Sequence, residues 1–560
     1  MKNKNNAENL ILEDFENEFS YEKNKSNLNI TFNRIAFIFF VFLIICFVYS
    51  FKVLYLGSLN SDLKVKSFSP IKLNYRADIL DTNGNFIVKT INTTDILINP
   101  KQVIDKKKLL LNLKLIYPNK DFSETKNKIY GNKTFYFNKK ISEEKHEKIR
   151  LLGDKSIIVE KKLSRIYPHE NLFSHIIGQI DDANNGISGI EKFYDYELKS
   201  RKDPLKLTVD TDIQFLIREE LLKFQDIFKS KGSAAILMNV NNGNIISMVS
   251  LPDYNLNKRE HITDLKFINR ATKGIYEFGS VFKTFTIAAG IEEGLIEPET
   301  KFLNLEKEIY CAGFPIREYD KNISTNLSAE EILIKSGNIG SVRIGQKIGE
   351  EKFKNFLYNT GALGEIDFDI EEVGKPQSVT WGKCKLATAS FGHGINTNLL
   401  QLTKAYAIIS NGGNYIKPTL INKKFDFNQK KIISDETSQK INSILRKIVL
   451  TGTAKLANVE GYEIGGKTGT ANKTIKGIYT NKKINTFASV FPTSNPKYVF
   501  TILFDEPQIN KDYIYEYRDG SEFKLKGAPR NTAGWTSVEV AGKIIDKIGP
   551  ILATKYIKVN

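Results

Sequence analysis

An uninterrupted apolar segment near the N-terminus constrains this chain more than any other feature. Residues 35–51 have the sequence IAFIFFVFLIICFVYSF and contain no charged side chain. After Lys52 the apolar character resumes as VLYLG, and a lysine near the end of a span can extend its ammonium group to the interface. Residues 35–57 are long enough to cross a bilayer with some tilt. A cleaved signal peptide has a shorter apolar core and a small-residue cleavage site, so we predict a single uncleaved transmembrane helix over 35–57.

The residues before this segment are polar. Residues 1–34 contain five lysine or arginine and six acidic side chains, and the downstream flank is also rich in lysine. The positive-inside rule compares basic residues on the two sides, and here it only slightly favours a cytoplasmic N-terminus. We predict a disordered cytoplasmic tail over residues 1–34 and place the rest of the chain outside the cytoplasm.

The chain is strongly basic, with a formal net charge of +17. This excess of lysine either reflects a bias in overall composition or attracts anionic partners, such as lipid headgroups or a pyrophosphate-linked substrate. No basic run is interleaved with aromatic side chains as in a nucleic-acid-binding groove, so nucleic acid is not a predicted partner.

The cysteines and histidines do not form a metal-binding pattern. Cys46, Cys311 and Cys384 include no C-x-x-C pair, and the five histidines show no ligand spacing. We therefore predict no metal site and no cofactor. Cys311 and Cys384 can pair in an oxidising compartment, and the sequence alone does not decide this; our expectation is that both are unpaired.

Two regions follow the membrane segment. Between residues 58 and 205, short runs such as NFIVKTI, TFYFNKK and SIIVEKK are separated by Asn-Gly turns, which predicts an elongated, β-rich module without chemistry of its own. From 206 to 560, strand-like runs flank a series of apolar helices, and the final VEVAGKIIDKIGPIL has helical spacing. This order predicts an α+β fold in which helices cover an antiparallel sheet.

A candidate nucleophile lies in EFGSVFKTFTIAAG, where Ser280 and Lys283 form an S-x-x-K motif. On a helix that begins at Ser280, Lys283 lies one turn later on the same face. A serine is a poor nucleophile until a base takes its proton, and lysine can be that base only when burial or a second cation lowers its pKa. The motif occurs eight times in the chain, so only the preceding glycine and the following apolar helix distinguish Ser280.

Two further elements follow in order, an S-x-N element at Ser336 and Asn338 and a K-T-G element at Lys467. The second lies in GYEIGGKTGTAN, which also satisfies the phosphate-binding P-loop pattern. A P-loop needs a strand before Gly461 and a helix that begins at Lys467. Here a helical run comes before and a Gly-, Asn- and Thr-rich stretch comes after. The context argues against a nucleotide-binding protein.

The ordered set of S-x-x-K, S-x-N and K-T-G resembles the active-site motifs of class B penicillin-binding proteins, the serine D,D-transpeptidases of the bacterial cell wall. The resemblance covers nearly the whole chain beyond the anchor. YRADILDTNG, SRIYPHENLFSHIIGQID and GISGIEKFYDYEL resemble elements of the family's non-catalytic pedestal, or dimerisation-type, module. NRATKGIYEFGSVFKTFTIAAG, TAGWTSVEVAGKII and the chain length look most like the division-specific type.

The resemblance implies a role for each motif residue. Ser280 would attack the D-Ala-D-Ala carbonyl of a peptidoglycan stem peptide, or a β-lactam, with Lys283 as the base. Ser336 and Asn338 would line the other side of the cleft, help proton transfer and hold the substrate amide. Lys467 would lie on an edge strand, hold the substrate carboxylate and lower the pKa of Lys283.

The residues after this lysine would complete the site. Thr468 would bind the same carboxylate, and Gly469 would leave room for the substrate backbone. The backbone N–H groups of Ser280 and Thr470 would form the oxyanion hole.

The chain departs from the family pattern at a few positions. Ala77 and Thr82 differ from the pattern of the pedestal module, and Gly337 stands where the division-specific type often has a second serine. The glycine at 337 leaves Ser336 and Asn338, the outer residues of the S-x-N element, intact. His393, in the cleft-side SFGHG, is expected to line the cleft or support its structure.

The implied reaction passes through an acyl-enzyme. Attack by an amine of a neighbouring strand would give a cross-link, and attack by water would give carboxypeptidase activity. The resemblance further implies a single-pass protein of the bacterial inner membrane, with its catalytic domain in the periplasm at the division site. A septal glycosyltransferase and other division proteins are the expected partners. The alternatives are an elongation-specific transpeptidase, a non-enzymatic β-lactam receptor and a division scaffold.

Overall fold

The computed structural model describes residues 25–58, 75–258, 264–376, 380–382, 384–422, 430–475, 478–521 and 523–556. The chain divides into two compact units, Met1–Leu73 and Asn74–Asn560.

The described part of the first unit is one long helix, α1 (Lys25–Ser58). Its stretch Arg34–Tyr55 has a mean hydropathy of 2.6 and is long and apolar enough to cross a membrane, in agreement with the predicted transmembrane helix. The predicted disordered tail over residues 1–34 is wrong for residues 25–34, which continue the helix. Extending a helix is far easier than nucleating one, so the apolar run propagates into its polar flank. Residues 1–24 lie outside the described residues.

The second unit begins with a small sheet and several short helices. Their bounds, in chain order, are β1 (Ile79–Leu80), β2 (Phe86–Ile98), α2 (Lys106–Ile116), α3 (Ser123–Ile129), β3 (Phe135–Ile141), α4 (Glu143–Arg150), β4 (Ile157–Ile166), α5 (Ser174–Ile177), α6 (Gly189–Phe193), α7 (Asp195–Ser200) and β5 (Leu205–Lys206). β2 pairs antiparallel with β1, β3 and β4, and β1 pairs parallel with β5. The three predicted strand runs fall in β2, β3 and β4, so these predictions are confirmed.

A buried ion cluster holds the start of this module to its later segments. Arg76 and Glu191 are fully buried and paired, and Arg165 donates to Glu191 Oε1 at 2.8 Å. Arg76 also pairs with Asp195 at 2.7 Å. Both guanidinium groups therefore have a carboxylate partner, which is what a buried charge requires.

The remaining residues form the larger part of the unit. Their helices and strands are α8 (Thr211–Ile227), β6 (Gly232–Asn239), β7 (Ile245–Leu251), β8 (Tyr276–Glu277), α9 (Lys283–Glu292), β9 (Lys301–Phe302), β10 (Glu308–Cys311), β11 (Phe314–Arg317), β12 (Leu327–Ser328), α10 (Ala329–Ile334), α11 (Asn338–Ile348), α12 (Glu350–Asn359), α13 (Lys385–Ala389), β13 (Asn396–Thr397), α14 (Leu399–Ser410), α15 (Asp435–Thr451), β14 (Gly465–Ile475), β15 (Ile478–Phe491), β16 (Tyr498–Asp505), β17 (Ile514–Glu516), β18 (Lys524–Lys526) and α16 (Ser537–Tyr556).

A five-stranded antiparallel sheet forms the centre of this region, in the order β14–β15–β16–β6–β7. Helices cover both faces. Thr501 of β16 bonds Thr403 of α14 at 2.6 Å, whereas Phe504 packs against Phe228, just beyond α8. Residues three apart on a strand point to opposite faces, so α14 and α8 lie on opposite sides. The prediction of an antiparallel sheet covered by helices is confirmed.

Cys311 and Cys384 form a disulfide, with their Cα atoms 5.7 Å apart, so the expectation that both are unpaired is wrong. The β10–β11 hairpin packs against α11 and α13 through a small cluster of Ile316, Val342 and Ala387. This packing brings together two cysteines that lie 73 residues apart in sequence, a proximity that their spacing does not reveal.

Candidate active site

Ser280 lies in a tight turn that leads into a buried helix. Gly279–Phe282 form one 3-10 turn, and α9 begins at Lys283 rather than at Ser280 as predicted. Gly279 has φ of +59°, and a Cβ there would lie 3.0 Å from the carbonyl oxygen of Thr470. A glycine at this position therefore allows the turn to pack closely against β14.

Lys283 is fully buried directly after this turn. Its Nζ donates to Asn338 Oδ1 at 2.7 Å and to Ser336 Oγ at 3.2 Å, and also to the backbone carbonyl of Ser336. Burial lowers the pKa of Lys283 to about 7, although the negative charge of Glu318 opposes this shift. A substantial fraction of the amine is therefore neutral at neutral pH, as a general base requires.

Ser336 has an unusual backbone conformation between α10 and α11. Its φ is +59°, a region that costs a non-glycine residue on the order of 1–3 kcal/mol. Its Oγ accepts hydrogen bonds from Lys283 and, at 3.0 Å, from Lys467. The strained turn thus brings the serine of the S-x-N element between the two lysines.

Lys467 lies on β14, at the edge of the sheet, and is fully buried. Besides Ser336, its Nζ donates to the backbone carbonyl of Thr468 at 3.1 Å. Burial and then repulsion from the ammonium of Lys283 lower its pKa. Of the two predicted causes of the lowered pKa of Lys283, burial and the charge of a second cation, burial is the main one. Lys467 lies within a strand, and the helix α15 comes before that strand in the chain. The lysine of a P-loop would instead lie at the N-terminus of a helix.

Gly469 lies close to the turn that carries Ser280. A Cβ at this position would overlap the carbonyl oxygen of Phe278 and lie 2.9 Å from Val281 Cγ1. The missing side chain thus makes room for the turn that carries Ser280, a neighbour that the sequence did not reveal, and the approach of the substrate backbone stays a prediction.

The two threonines of the strand contact neighbouring loops. Thr468 Oγ1 and Thr453 Oγ1 lie 2.8 Å apart, and Thr470 Oγ1 accepts the N–H of Ala533 at 3.0 Å. Both threonines line a cleft of about 780 Å³. The predicted residues at its surface are Ser280, Ser336, Asn338, His393, Thr468 and Thr470. The site therefore has an accessible layer with the serine and a buried layer with the two lysines.

Comparison with known proteins agrees with this arrangement. Residues 233–521 match the penicillin binding protein transpeptidase domain, and residues 72–221 match the penicillin-binding protein dimerisation domain. The chain belongs to the penicillin-binding protein transpeptidase family.

Relatives of this penicillin-binding protein cover most of its length. It is 28% identical over 499 residues to a probable peptidoglycan D,D-transpeptidase FtsI of Caulobacter vibrioides, covering 86% of this chain and 82% of that protein. It is 27% identical over 483 residues to the stage V sporulation protein D of Bacillus subtilis, covering 77% and 74%. The prediction of a class B penicillin-binding protein of the division-specific type is confirmed.

Solved structures share the fold of this penicillin-binding protein. Penicillin-binding protein 3 of Mycobacterium tuberculosis, complexed with aztreonam, superimposes with a TM-score of 0.64 at 21% identity, covering 85% of this chain and 96% of that one. A peptidoglycan synthetase of Bifidobacterium adolescentis gives a TM-score of 0.64 at 20% identity, covering 86% and 95%.

The sequence did not single out several other cleft residues in this penicillin-binding protein. Glu318 binds the first turn of α11, and Thr453 contacts Thr468. Arg530 lies 5.9 Å from the ring centroid of Tyr319, in the range of a cation–π contact. None of these residues belongs to a motif with recognisable spacing, and only the fold brings them to the cleft.

His393 lies at the wall of the cleft, where it packs against other side chains. Its Nδ1 is 3.0 Å from Glu277 Oε1, and its ring stacks on Tyr479 with centroids 4.9 Å apart. Tyr479 also donates to Glu277 Oε2 at 3.0 Å. These contacts agree with the prediction of a lining or structural histidine.

Within the described residues, one cluster has the donor atoms for a metal ion, Glu143, His146 and Glu147 on α4. His146 Nδ1 is 3.1 Å from Glu143, and Glu147 pairs with Arg150 at 2.7 Å. The acidic side chains thus have partners within the helix. The absence of a metal or cofactor in the reaction stays a prediction.

Proposed function

We propose that this penicillin-binding protein is a serine D,D-transpeptidase that cross-links peptidoglycan stem peptides at the division septum. One observation carries this proposal: Ser336 Oγ accepts hydrogen bonds from two buried lysines, at the base of a cleft that Ser280 lines. The names of the relatives, which include two FtsI proteins, support the substrate and the division role.

Acylation begins with proton transfer from Ser280 Oγ to the neutral amine of Lys283. The serine oxygen attacks the carbonyl between the two D-alanines, and the backbone N–H groups of Ser280 and Thr470 stabilise the oxyanion. When the tetrahedral intermediate collapses, the C–N bond breaks and the departing amine of D-Ala takes a proton. Ser336 Oγ supplies this proton, since it accepts from the lysines and keeps its own hydrogen free to donate, and Lys283 replaces it.

The other motif residues hold the substrate. Thr468 binds the terminal carboxylate of the substrate, and Lys467 beneath it contributes positive charge. Asn338 binds the amide of the stem peptide. Gly469 contributes through close packing of the strand against the serine turn.

The acyl-enzyme then reacts with one of two nucleophiles. An amine from a neighbouring stem peptide attacks the ester carbonyl and gives its proton to Lys283. The C–O bond to Ser280 then breaks, Ser280 Oγ takes the proton back from Lys283, and the new peptide cross-link is released. Water attacks in the same way and gives D-Ala-D-Ala carboxypeptidase activity. A β-lactam acylates Ser280 by opening its ring, so its amine stays attached and the ester persists.

The domain organisation fits this role. We assign residues 58–205 to the non-catalytic pedestal and residues 206–560 to the transpeptidase domain. The apolar helix anchors the chain in the inner membrane, with the catalytic domain in the periplasm. A disulfide between Cys311 and Cys384 supports an oxidising compartment. A septal glycosyltransferase and other division proteins are the proposed partners.

Covalent labelling with a fluorescent penicillin tests this function. We expect the detergent-solubilised full chain to form a stable adduct and Ser280→Ala to form none. Ser521→Ala is a matched control, because Ser521 begins another S-x-x-K sequence at an exposed position. Equal labelling of Ser280→Ala and the wild type would refute the assignment of the nucleophile. Depletion in cells distinguishes the biological roles: filaments indicate division, and round cells would instead assign the chain to elongation.

A further inference from the structure

Glu318 binds the N-terminus of α11 with both oxygens of its carboxylate. Oε2 accepts the N–H of Asn338 at 2.7 Å, and Oε1 accepts the N–H of Ile339 at 2.8 Å. The N-cap residue, Gly337, has no side chain to bind these groups. Glu318 therefore satisfies two donors that the helix cannot pair by itself, and it places a negative charge at the positive end of the helix dipole.

The segment that carries Glu318 also orients the Asn338 amide. The preceding residue, Arg317, accepts a hydrogen bond from Asn338 Nδ2 through its backbone carbonyl, at 2.7 Å. With Nδ2 bound there, Asn338 Oδ1 is directed to Lys283, which donates to it at 2.7 Å. The backbone and the side chain of Asn338 are thus both held by two consecutive residues.

The disulfide fixes the hairpin from which this segment extends. Glu318 directly follows β11, and Cys311 ends the paired strand β10. Cys384 lies just before α13, which leads into the cleft residues Phe391 and His393. The covalent bond therefore connects the hairpin that precedes Glu318 to the segment that carries the cleft residues Phe391 and His393.

We propose that Glu318 is a positioning residue that holds Ser336 and Asn338 against Lys283, and that the Cys311–Cys384 disulfide holds Glu318 in place. This inference rests on the proposed acyl transfer at Ser280.

The charge of Glu318 also acts on the base. The charged groups that face Lys283 are Lys467, from β14, and Glu318, from the segment after β11. The carboxylate favours the protonated form of Lys283. Glu318→Gln removes that charge and therefore lowers the pKa of Lys283, so the acid limb of the acylation rate moves to lower pH. A residue that only stabilises the fold would not move this limb.

The test measures the rate constant of acylation by a fluorescent penicillin as a function of pH, with the detergent-solubilised full chain. For Glu318→Gln we expect the rate constant at its high-pH plateau to be about 10- to 100-fold below that of the wild type, because misplaced catalytic groups react more slowly. We also expect the acid limb of the profile to lie at lower pH. Glu318→Asp keeps the charge and is expected to recover part of the rate. Glu306→Gln is the control, because Glu306 pairs with Arg343 on α11 but does not contact its N-terminus.

A second arm tests the disulfide with the variant Cys311→Ser/Cys384→Ser. We expect it to acylate more slowly than the wild type and to add little to the effect of Glu318→Gln, because both changes act through one contact. If Glu318→Gln has the same plateau rate and the same acid limb as the wild type, Glu318 does not have the proposed role. If the effects of Glu318→Gln and of the cysteine replacements on the acylation rate are fully additive, the disulfide does not act through Glu318. A wild-type chain that penicillin does not label would instead refute the proposed function itself.

Discussion

Lys283 and Lys467 donate to the same hydroxyl oxygen, Ser336 Oγ, at 3.2 and 3.0 Å. Both lysines are fully buried, so two positive charges at this distance would be costly. Burial, and then repulsion from Lys283, lower the pKa of Lys467, and burial lowers that of Lys283. The shared hydroxyl therefore joins two amines that cannot both hold a proton at low cost, which suits a site that must move protons.

The rate of acylation is expected to rise with pH through the neutral range. Lys283 accepts the serine proton only in its neutral form, and its pKa is about 7. Below that pKa the amine is protonated and the rate falls tenfold per pH unit, and above it the rate levels off. Stopped-flow measurement of penicillin acylation from about pH 5 to 9 checks this profile. A rate that is constant or falls over this range would contradict the role of Lys283 as base.

Replacement of Lys467 is expected to lower acylation by at least about a hundredfold, the usual scale for loss of a group that takes part in proton transfer. Lys467→Met keeps most of the apolar volume of the buried stem but removes the donor to Ser336 Oγ. The measurement is the second-order rate constant for a penicillin, together with the thermal midpoint.

Lys482→Met provides the control for this experiment, because Lys482 is half exposed and pairs with Glu506, the residue directly after β16. It should acylate at the wild-type rate. If Lys467→Met also acylates at the wild-type rate with an unchanged midpoint, Lys467 does not belong to the proton network.

The motif residues could be predicted from the sequence because their chemistry depends on short spacing. Ser280 and Lys283 are three residues apart, and Ser336 and Asn338 are two apart, so each pair is recognisable before the fold is known. The antiparallel sheet was also predictable, because β6 and β7 are apolar runs joined by an Asn-Asn-Gly turn.

Other parts of the site depend on tertiary contacts that leave no pattern in the sequence. Glu318 contacts Asn338 across 20 residues, and Cys311 pairs with Cys384 across 73. The φ of Ser336 is +59°, which serine does not favour, so its residue type gives no sign of this conformation. The sequence suggests only an approach of the substrate at Gly469, and the structure shows that its neighbour is the turn of Ser280.

Loss of Glu191 is expected to destabilise the pedestal strongly. Glu191→Gln removes the carboxylate that pairs with the buried guanidinium groups of Arg76 and Arg165. Breaking a buried pair by removing one partner costs about 3–5 kcal/mol, because the charge of Arg165 is left without a carboxylate, whereas Arg76 keeps Asp195. A lower midpoint in urea or thermal unfolding of the full chain checks this.

Glu144→Gln is the control for Glu191, because Glu144 is exposed and pairs with the exposed Lys148 in the next helical turn. Exposed pairs of this kind contribute little to stability. Equal midpoints for the two variants would show that the buried cluster does not stabilise the module more than a surface pair does.

Gly469→Ala is expected to impair the site although it adds a single methyl group. The new Cβ would overlap the carbonyl oxygen of Phe278, which is backbone and cannot rotate away. Either β14 or the turn that carries Ser280 must therefore move, which costs about 1–3 kcal/mol by overpacking. A displacement near 1 Å at the nucleophile lowers acylation by up to about a hundredfold.

Gly382→Ala is the matched control for Gly469→Ala, because a Cβ at Gly382 has no atom within 4 Å. The measurements are the acylation rate and the thermal midpoint of both variants. If Gly469→Ala matches Gly382→Ala in both, the strand and the turn tolerate the added group, and close packing of Gly469 does not position Ser280.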